Sequence, residues 1–227
     1  MNQTIIQERS SLNQFYAKVY AFVGIGIGLS ALVSALMLTV FQAQLTYFLM
    51  HGRLWLMVAT FAELALVFVA SSMAAKNSPA ALPVFLVYSV LNGFTLSFVV
   101  AFYTPGTVLS AFVSSALLFF VMAAVGMFTK KDLSGLGRAM MAALIGLLIA
   151  MVVNIFLASG FFDYMISVAM VLVFSGLIAW DNQKIRYVYE QSRGQVATGW
   201  IISMALSIYL DFINLFLSIL RIFGRND

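Results

Sequence analysis

Long uncharged apolar segments, separated by short connectors that hold most of the charge, constrain this chain most strongly. From Val19 to Met50, for example, no residue is charged. A helix needs about 20 apolar residues to cross the hydrocarbon core of a bilayer. Cutting the sequence at charges and turn residues predicts seven such helices, at roughly 19–41, 54–75, 81–103, 107–129, 139–158, 164–187 and 200–223.

The composition agrees with a membrane protein and excludes several kinds of site. Of the 227 residues, 63% are hydrophobic and 9% are charged, whereas a soluble domain carries about 25% charged residues. The chain has no cysteine and one histidine, so a thiolate or multi-histidine metal site cannot be built. The net charge of +4 is spread along the sequence, which gives no reason to expect a nucleic acid as partner.

The organisation predicted from the sequence is a polar N-terminal lead at residues 1–18 and a single seven-helix transmembrane domain at 19–227. Connectors are expected at 103–106, 129–137 and 159–163, and the last two helices are expected to form a hairpin that turns near residue 196. Arg193 and Gly194 lie in that last connector and are typical of a helix end and cap.

The distribution of basic residues supports seven spans and predicts their orientation. With the N-terminus in the cytoplasm, the inside segments hold nine lysines and arginines and the outside segments hold three. Cytoplasmic loops of membrane proteins are enriched in basic residues. The C-terminus is therefore predicted to face outside.

The last predicted helix, 200–223, carries its polar side chains on one narrow stripe. At about 100° per residue the stripe covers an arc of roughly 80°. Serines and asparagine alone are typical of hydrogen bonds between packed membrane helices. A carboxylate at this depth more often marks an ion path, a proton relay or a buried pair. The stripe consists of Ser203, Ser207, Asp211, Asn214, Ser218 and Arg221.

Asp181, near the end of the sixth helix, is a candidate partner for Asp211. Each aspartate lies about 15 residues from the expected turn near residue 196, which places the two at similar depth. Two carboxylates that meet in a low-dielectric site cannot both ionise cheaply, so they share a proton. We predict that Asp181 and Asp211 form a pH-dependent latch and, once ionised, a contact site for cations such as Ca²⁺.

Two further polar residues are candidates for supporting roles. Glu63 lies near the middle of the second span, where a neutral acid with a single hydrogen bond and a functional carboxylate are both plausible. Asn182 follows Asp181 and is expected either to hold it by hydrogen bonds or to face the lipid headgroups.

Four stretches resemble the Bax inhibitor-1 family, the membrane proteins with the transmembrane BAX inhibitor motif, and in particular its bacterial branch. Where many members carry Tyr-Asp-Thr-Gln, this chain has Trp180-Asp181-Asn182-Gln183. The stretches are LNGFTLS at 91–97, TKKDLSGLGRAMMAALIG at 129–146, VFSGLIAWDNQKI at 173–185 and ALSIYLDFINLFLSILRIFG at 205–224.

This resemblance implies an all-α fold of seven transmembrane helices in which the last helix is central and wrapped by the other six. It also implies a pH-sensitive calcium leak with Asp181 and Asp211 as a hydrogen-bonded sensor pair. Arg221 and Glu63 match a basic and an acidic position of the family. Lys76 is the base nearest to the position where some members carry an arginine that pairs with the two aspartates.

The function predicted on these grounds is a pH-sensitive calcium leak channel or transporter, not an enzyme, in the inner membrane of a bacterium. The expected partners are the lipid bilayer and Ca²⁺ or other cations, with no cofactor beyond a transiently bound Ca²⁺. One alternative is a non-conducting membrane protein that regulates stress responses or membrane proteases. An intramembrane aspartyl protease is disfavoured, because the Gly-x-Gly-Asp context typical of the second aspartate is absent at Asp211.

Overall fold

The structure is a computed structural model. It describes the backbone of residues 2–226 and the side chains of residues 11–52, 58–59, 61–63 and 65–225. The described backbone is helical, with no strand. A 3₁₀ turn, Gly224–Asn226, follows the last of eight α-helices. The helices are α1 (Asn2–Thr39), α2 (Gln42–His51), α3 (Arg53–Ala75), α4 (Ala81–Val100), α5 (Pro105–Phe128), α6 (Ser134–Leu157), α7 (Gly160–Gln191) and α8 (Thr198–Phe223).

The prediction of an all-α membrane protein is confirmed. Among the described residues, six helices are long and apolar enough to cross a bilayer, namely the part of α1 from Ser11 to Thr39 and all of α4, α5, α6, α7 and α8. Helix α3 coincides with the predicted second span and has 23 residues. The count of seven spans and the central position of the last helix stay predictions.

Several element boundaries differ from the predicted ones. The connector expected at 103–106 lies at 101–104, and the one expected at 159–163 is reduced to residues 158–159, because α5 begins at Pro105 and α7 begins at Gly160. The polar N-terminal lead belongs to α1, which begins at Asn2, and the residues after the first span form the extra helix α2. The predicted connector at 129–137 is shorter, since α6 begins at Ser134. There the Asp132 Oδ1 atom accepts a hydrogen bond of 2.8 Å from the Ser134 amide. Apolar periodicity cannot locate such a start, because a local side-chain bond sets it.

The turn between α7 and α8 lies where the sequence places it. Helix α7 ends at Gln191 and α8 begins at Thr198. Arg193 and Gly194 both have positive φ angles, of 51° and 79°, and the Gly194 amide donates to the Tyr189 carbonyl at 3.0 Å. Left-handed backbone after a helix is the usual use of glycine at a C-terminal cap, so the predicted cap is confirmed.

The chain divides into two compact units, and each takes part of α7 and part of α8. Unit 1 is Met1–Phe102 with Tyr189–Tyr209, and unit 2 is Tyr103–Val188 with Leu210–Asp227. In unit 1, α4 packs against both α1 and α3. In unit 2, Phe212 of α8 lies edge-on against Phe112 and Phe119 of α5, with ring centroids 5.9 and 5.5 Å apart. Aromatic pairs of this geometry add to the stabilisation from burial.

Candidate functional site

Asp211 is the one acid of α8, and it lies in unit 2. Only 7% of its surface is exposed. Its Oδ2 atom is buried and has no hydrogen-bond partner among the described residues. Buried polar atoms in native proteins nearly always have a partner. An orphaned carboxylate oxygen therefore marks a position that a proton or a cation would stabilise.

The other members of the α8 stripe are less buried or turn back onto their own helix. Asn214 Nδ2 donates to the Leu210 carbonyl at 2.8 Å, and Ser218 Oγ donates to the Asn214 carbonyl at 2.7 Å. These bonds satisfy both side chains within α8. Part-exposed side chains occur at Ser203, Ser207, Asn214 and Arg221, while Asp211 and Ser218 are buried.

Asp181 lies on α7, also in unit 2, next to a close crossing of α5. At this crossing Gly126 of α5 faces the α7 backbone. A Cβ atom at Gly126 would lie 2.1 Å from the Ala179 carbonyl oxygen and 2.9 Å from Asn182 Cβ. Only glycine lets the two backbones approach this closely. The crossing thus fixes the segment of α7 that carries Asp181.

Asn182 and Gln183, which follow Asp181, bond to different parts of the structure. Asn182 is fully buried, and its Nδ2 atom donates to the Ile178 carbonyl at 2.8 Å. Gln183 holds the connector between α5 and α6. Its Oε1 atom accepts from the Leu133 amide, and its Nε2 atom donates to the Lys131 carbonyl, both at 2.7 Å.

Arg186 is a further anchor that the sequence analysis missed. Its guanidinium donates to the carbonyls of Met127 and Thr129, each at 3.1 Å. These carbonyls lie at the C-terminal end of α5, where a cation is favoured by the helix dipole and by unpaired acceptors. The available signal was the spacing of Gln183 and Arg186, which places both on one face of α7.

The two aspartates interact electrostatically with each other and with a lysine. Asp181 and Asp211 act on each other through their charges, and Lys184 acts on both. Lys184 lies three residues after Asp181, on the same side of α7. Its Nζ atom also lies 5.4 Å from the centroid of the Trp180 ring. No pattern in the sequence had marked Lys184 as part of this group.

The two carboxylates do not by themselves supply the donors of a tightly held metal. Ca²⁺ takes six to eight oxygen ligands, and two carboxylates supply at most four. Among the residues whose side chains are described, no group of three or more His, Cys, Asp or Glu could hold a metal ion. Water or carbonyl oxygens would have to complete the shell, and Lys184 competes with the ion for the same oxygens.

The remaining predicted residues lie in unit 1 or at the end of α8. Glu63 Oε1 accepts a hydrogen bond of 2.5 Å from Thr95 Oγ1, and the Asn92 side chain also bonds to Glu63. Lys76 is an exposed residue directly after α3, and its predicted role as a clamp stays a prediction. Arg221 is the basic residue in the last turn of α8, a position where a cation complements the helix dipole.

Comparison with known proteins gives a consistent result over nearly the whole chain. Residues 12–227 match the sequence model of the family described as inhibitor of apoptosis-promoting Bax1. A membrane protein of Streptococcus pyogenes serotype M1, described as uncharacterized, is 57% identical over 229 residues, covering 100% of both chains. The inner membrane protein YbhL of Escherichia coli (strain K12) is 38% identical over 228 residues, covering 99% of this chain and 97% of YbhL.

Proposed function

The chain belongs to the Bax inhibitor-1 family of multi-pass membrane proteins, and from that premise we propose that it is a pH-sensitive cation leak channel or transporter. The cation proposed is calcium. Asp181 and Asp211 form the gate: they close the path while they share a proton or bind Lys184, and they admit a cation when both are ionised.

The observation that carries this proposal is the unpartnered Oδ2 atom of Asp211. An ionised carboxylate without a donor in a buried site is strongly disfavoured. Three charges can relieve it here: a proton, the ammonium of Lys184, or a cation that enters from outside. Because the three compete for the same oxygens, cation entry depends on pH.

Weak binding of a cation at this site favours conduction of the ion over its long-term retention. An ion must bind well enough to enter and weakly enough to leave. Two carboxylates opposed by one lysine meet that condition better than a cage of many acids. The close crossing of α5 and α7 at Gly126 and the anchors at Gln183 and Arg186 keep Asp181 in place while the ion moves.

Calcium flux into liposomes that contain the purified full-length protein tests the proposal. Wild-type protein should pass Ca²⁺ with a rate that changes with pH. Asp211→Asn should remove most of that pH dependence, because the asparagine side chain does not gain or lose charge as the pH changes. Asp163→Asn is the matched control. It makes the same chemical change at an exposed position in the first turn of α7 and should leave the flux profile unchanged.

Absence of flux in wild-type protein at every pH between about 5 and 8 would refute the conduction proposal. A non-conducting regulator of stress or of membrane proteases would then be the better description. Location in the bacterial inner membrane, as in the name of the E. coli relative, and an N-terminus in the cytoplasm complete the proposal. Cysteine labelling from either side of the membrane checks the orientation.

A further inference from the structure

A buried chain of hydrogen bonds in unit 1 connects Glu63 to three other helices. Thr95 Oγ1 of α4 donates to Glu63 Oε1, and the Asn92 side chain of α4 interacts with the same carboxyl group. The Tyr209 hydroxyl of α8 donates to Asn92 Oδ1 at 2.8 Å, and that hydroxyl lies 2.7 Å from Ser30 Oγ of α1. Glu63 is part-exposed, whereas Asn92, Tyr209 and Ser30 are buried. These residues belong to unit 1, whereas Asp181 and Asp211 belong to unit 2.

When Glu63 is ionised, this chain of hydrogen bonds has fewer hydroxyl protons than it has links. Three short links run in series: Asn92 to Tyr209, Tyr209 to Ser30, and Ser30 to the Ser89 carbonyl at 2.7 Å. Each hydroxyl supplies one proton. When the oxygen of the Asn92 amide faces Tyr209, the hydroxyls of Tyr209 and Ser30 have two protons for three links. One pair of oxygens is then in close contact with no hydrogen between them.

A half-turn of the Asn92 amide removes this deficit. The turn exchanges the amide oxygen and nitrogen without moving the other atoms, and the hydrogen-bond network decides between the two orientations. With the nitrogen facing Tyr209, Asn92 donates to Tyr209, Tyr209 donates to Ser30, and Ser30 donates to the Ser89 carbonyl. All three links then contain a proton.

The turned amide presents its oxygen to Glu63, which must then donate. An ionised carboxylate has no proton to donate, whereas a neutral carboxylic acid has one. The same deficit exists at Thr95, whose single hydroxyl proton serves both Glu63 at 2.5 Å and the Asn92 carbonyl at 3.0 Å. A proton on Glu63 therefore supplies what the network lacks at either point.

We propose that Glu63 is a proton-binding site, held as the neutral acid by Asn92, Tyr209 and Ser30. When the acid loses its proton, Asn92 turns its nitrogen toward the carboxylate, and the chain loses a link among α1, α4 and α8. The network is not a proton wire, because an amide does not pass protons on as hydroxyls do. The proposal is independent of ion conduction by the protein.

The groups recorded around Glu63 among the described residues come from four elements. Tyr88 of α4 and Tyr209 of α8 are the titratable side chains that interact with it electrostatically, and α1 contributes the hydroxyl of Ser30. On α2, His51 stacks on Tyr47, with ring centroids 5.1 Å apart. No cation among the described side chains is in an ion pair with Glu63, so burial and the hydrogen bonds around it, rather than a paired charge, govern its protonation.

Infrared difference spectroscopy of the full-length protein in lipid nanodiscs tests the proposal during a pH titration. A neutral carboxylic acid has a carbonyl band that is distinct from those of a carboxylate and an amide. Wild-type protein should show this band at neutral pH, and Glu63→Gln should lose it. Asp163→Asn, at an exposed position of α7, is the matched control and should retain it. Tyr209→Phe breaks the chain and should move the pH at which the band disappears downward.

A further variant assigns the carbonyl band to Glu63 while leaving the Glu63 carboxyl group in place. Thr95→Val deletes the hydrogen bond to Oε1 and should raise the carbonyl frequency of the Glu63 band. Identical spectra of wild type and Glu63→Gln at neutral pH, or a band that does not respond to Thr95→Val, would overturn the proposal. Neither readout depends on flux, so failure of this proposal and failure of the channel proposal are distinguishable.

Discussion

The close crossing of α5 and α7 gives the sharpest prediction about stability, through Gly126→Ala. The added Cβ would lie 2.1 Å from the Ala179 carbonyl oxygen, and real Cβ atoms essentially never approach closer than 3.0 Å. The obstacle is backbone in the middle of a long helix, so it cannot turn away as a flexible side chain can. Helices α5 and α7 must separate by about 1 Å or bend.

The expected cost follows from the general penalty for overpacking. Inserting a methyl group into a well-packed interior costs about 1–3 kcal/mol. For a chain of this size that corresponds to a fall in Tm of about 2–12 °C. The separation would also stretch the bonds from Arg186 to the Met127 and Thr129 carbonyls, which measure 3.1 Å, and so would loosen the segment that carries Asp181.

Thermal unfolding of the purified protein in detergent measures this effect against Gly146→Ala. A Cβ at Gly146, in the middle of α6, would meet no heavy atom within 4 Å. Alanine is favoured over glycine inside a helix by about 0.5–1 kcal/mol, so this control should be neutral or slightly stabilised. Equal Tm values for the two variants would refute the reasoning, because they would mean that α5 and α7 do not touch at Gly126.

Two further predictions concern local structure. Gly194→Ala should destabilise the protein by about 1–2 kcal/mol, since the residue has a φ of 79°. Chemical unfolding measures the effect, with Gly135→Ala as the control, because a Cβ at Gly135 would meet nothing within 4 Å. Equal free energies of unfolding for the two variants would contradict the prediction. Hydrogen bonds from the side chain and backbone of Ser134 lower the pKa of Asp132 in the folded protein. The ionised Asp132 carboxylate therefore stabilises the fold at any pH above the pKa that this group has in the unfolded chain. This stabilisation is lost as the pH falls through the lower pKa of Asp132 in the folded protein. Asp132→Ala should therefore lower the Tm at neutral pH and have less effect below about pH 4; a Tm difference that stays constant with pH would show that the carboxylate makes no such contribution.

The two acids of the candidate site were identified from the sequence alone. Asp181 and Asp211 stand out because a charge inside an apolar segment is rare, and their equal distance of about 15 residues from the turn expected near residue 196 is the basis for predicting that they meet. The sequence also predicts that the Asn214 and Ser218 side chains share one stripe. Their bonds back to the Leu210 and Asn214 carbonyls were not predictable, since a hydroxyl or an amide on a helix can point to a neighbour or to its own backbone.

The sequence by itself determined the all-helical membrane fold, because an apolar segment about 20 residues long must satisfy its backbone inside the bilayer, and a helix does so within the segment. Tertiary structure decided which side chains meet. Arg186 bonds to a carbonyl 59 residues away and Tyr209 to an amide 117 residues away. Such pairs depend on how closely two helices approach and how each is rotated, and these are set by packing contacts such as Gly126 against Ala179 that leave no periodic signal along the chain.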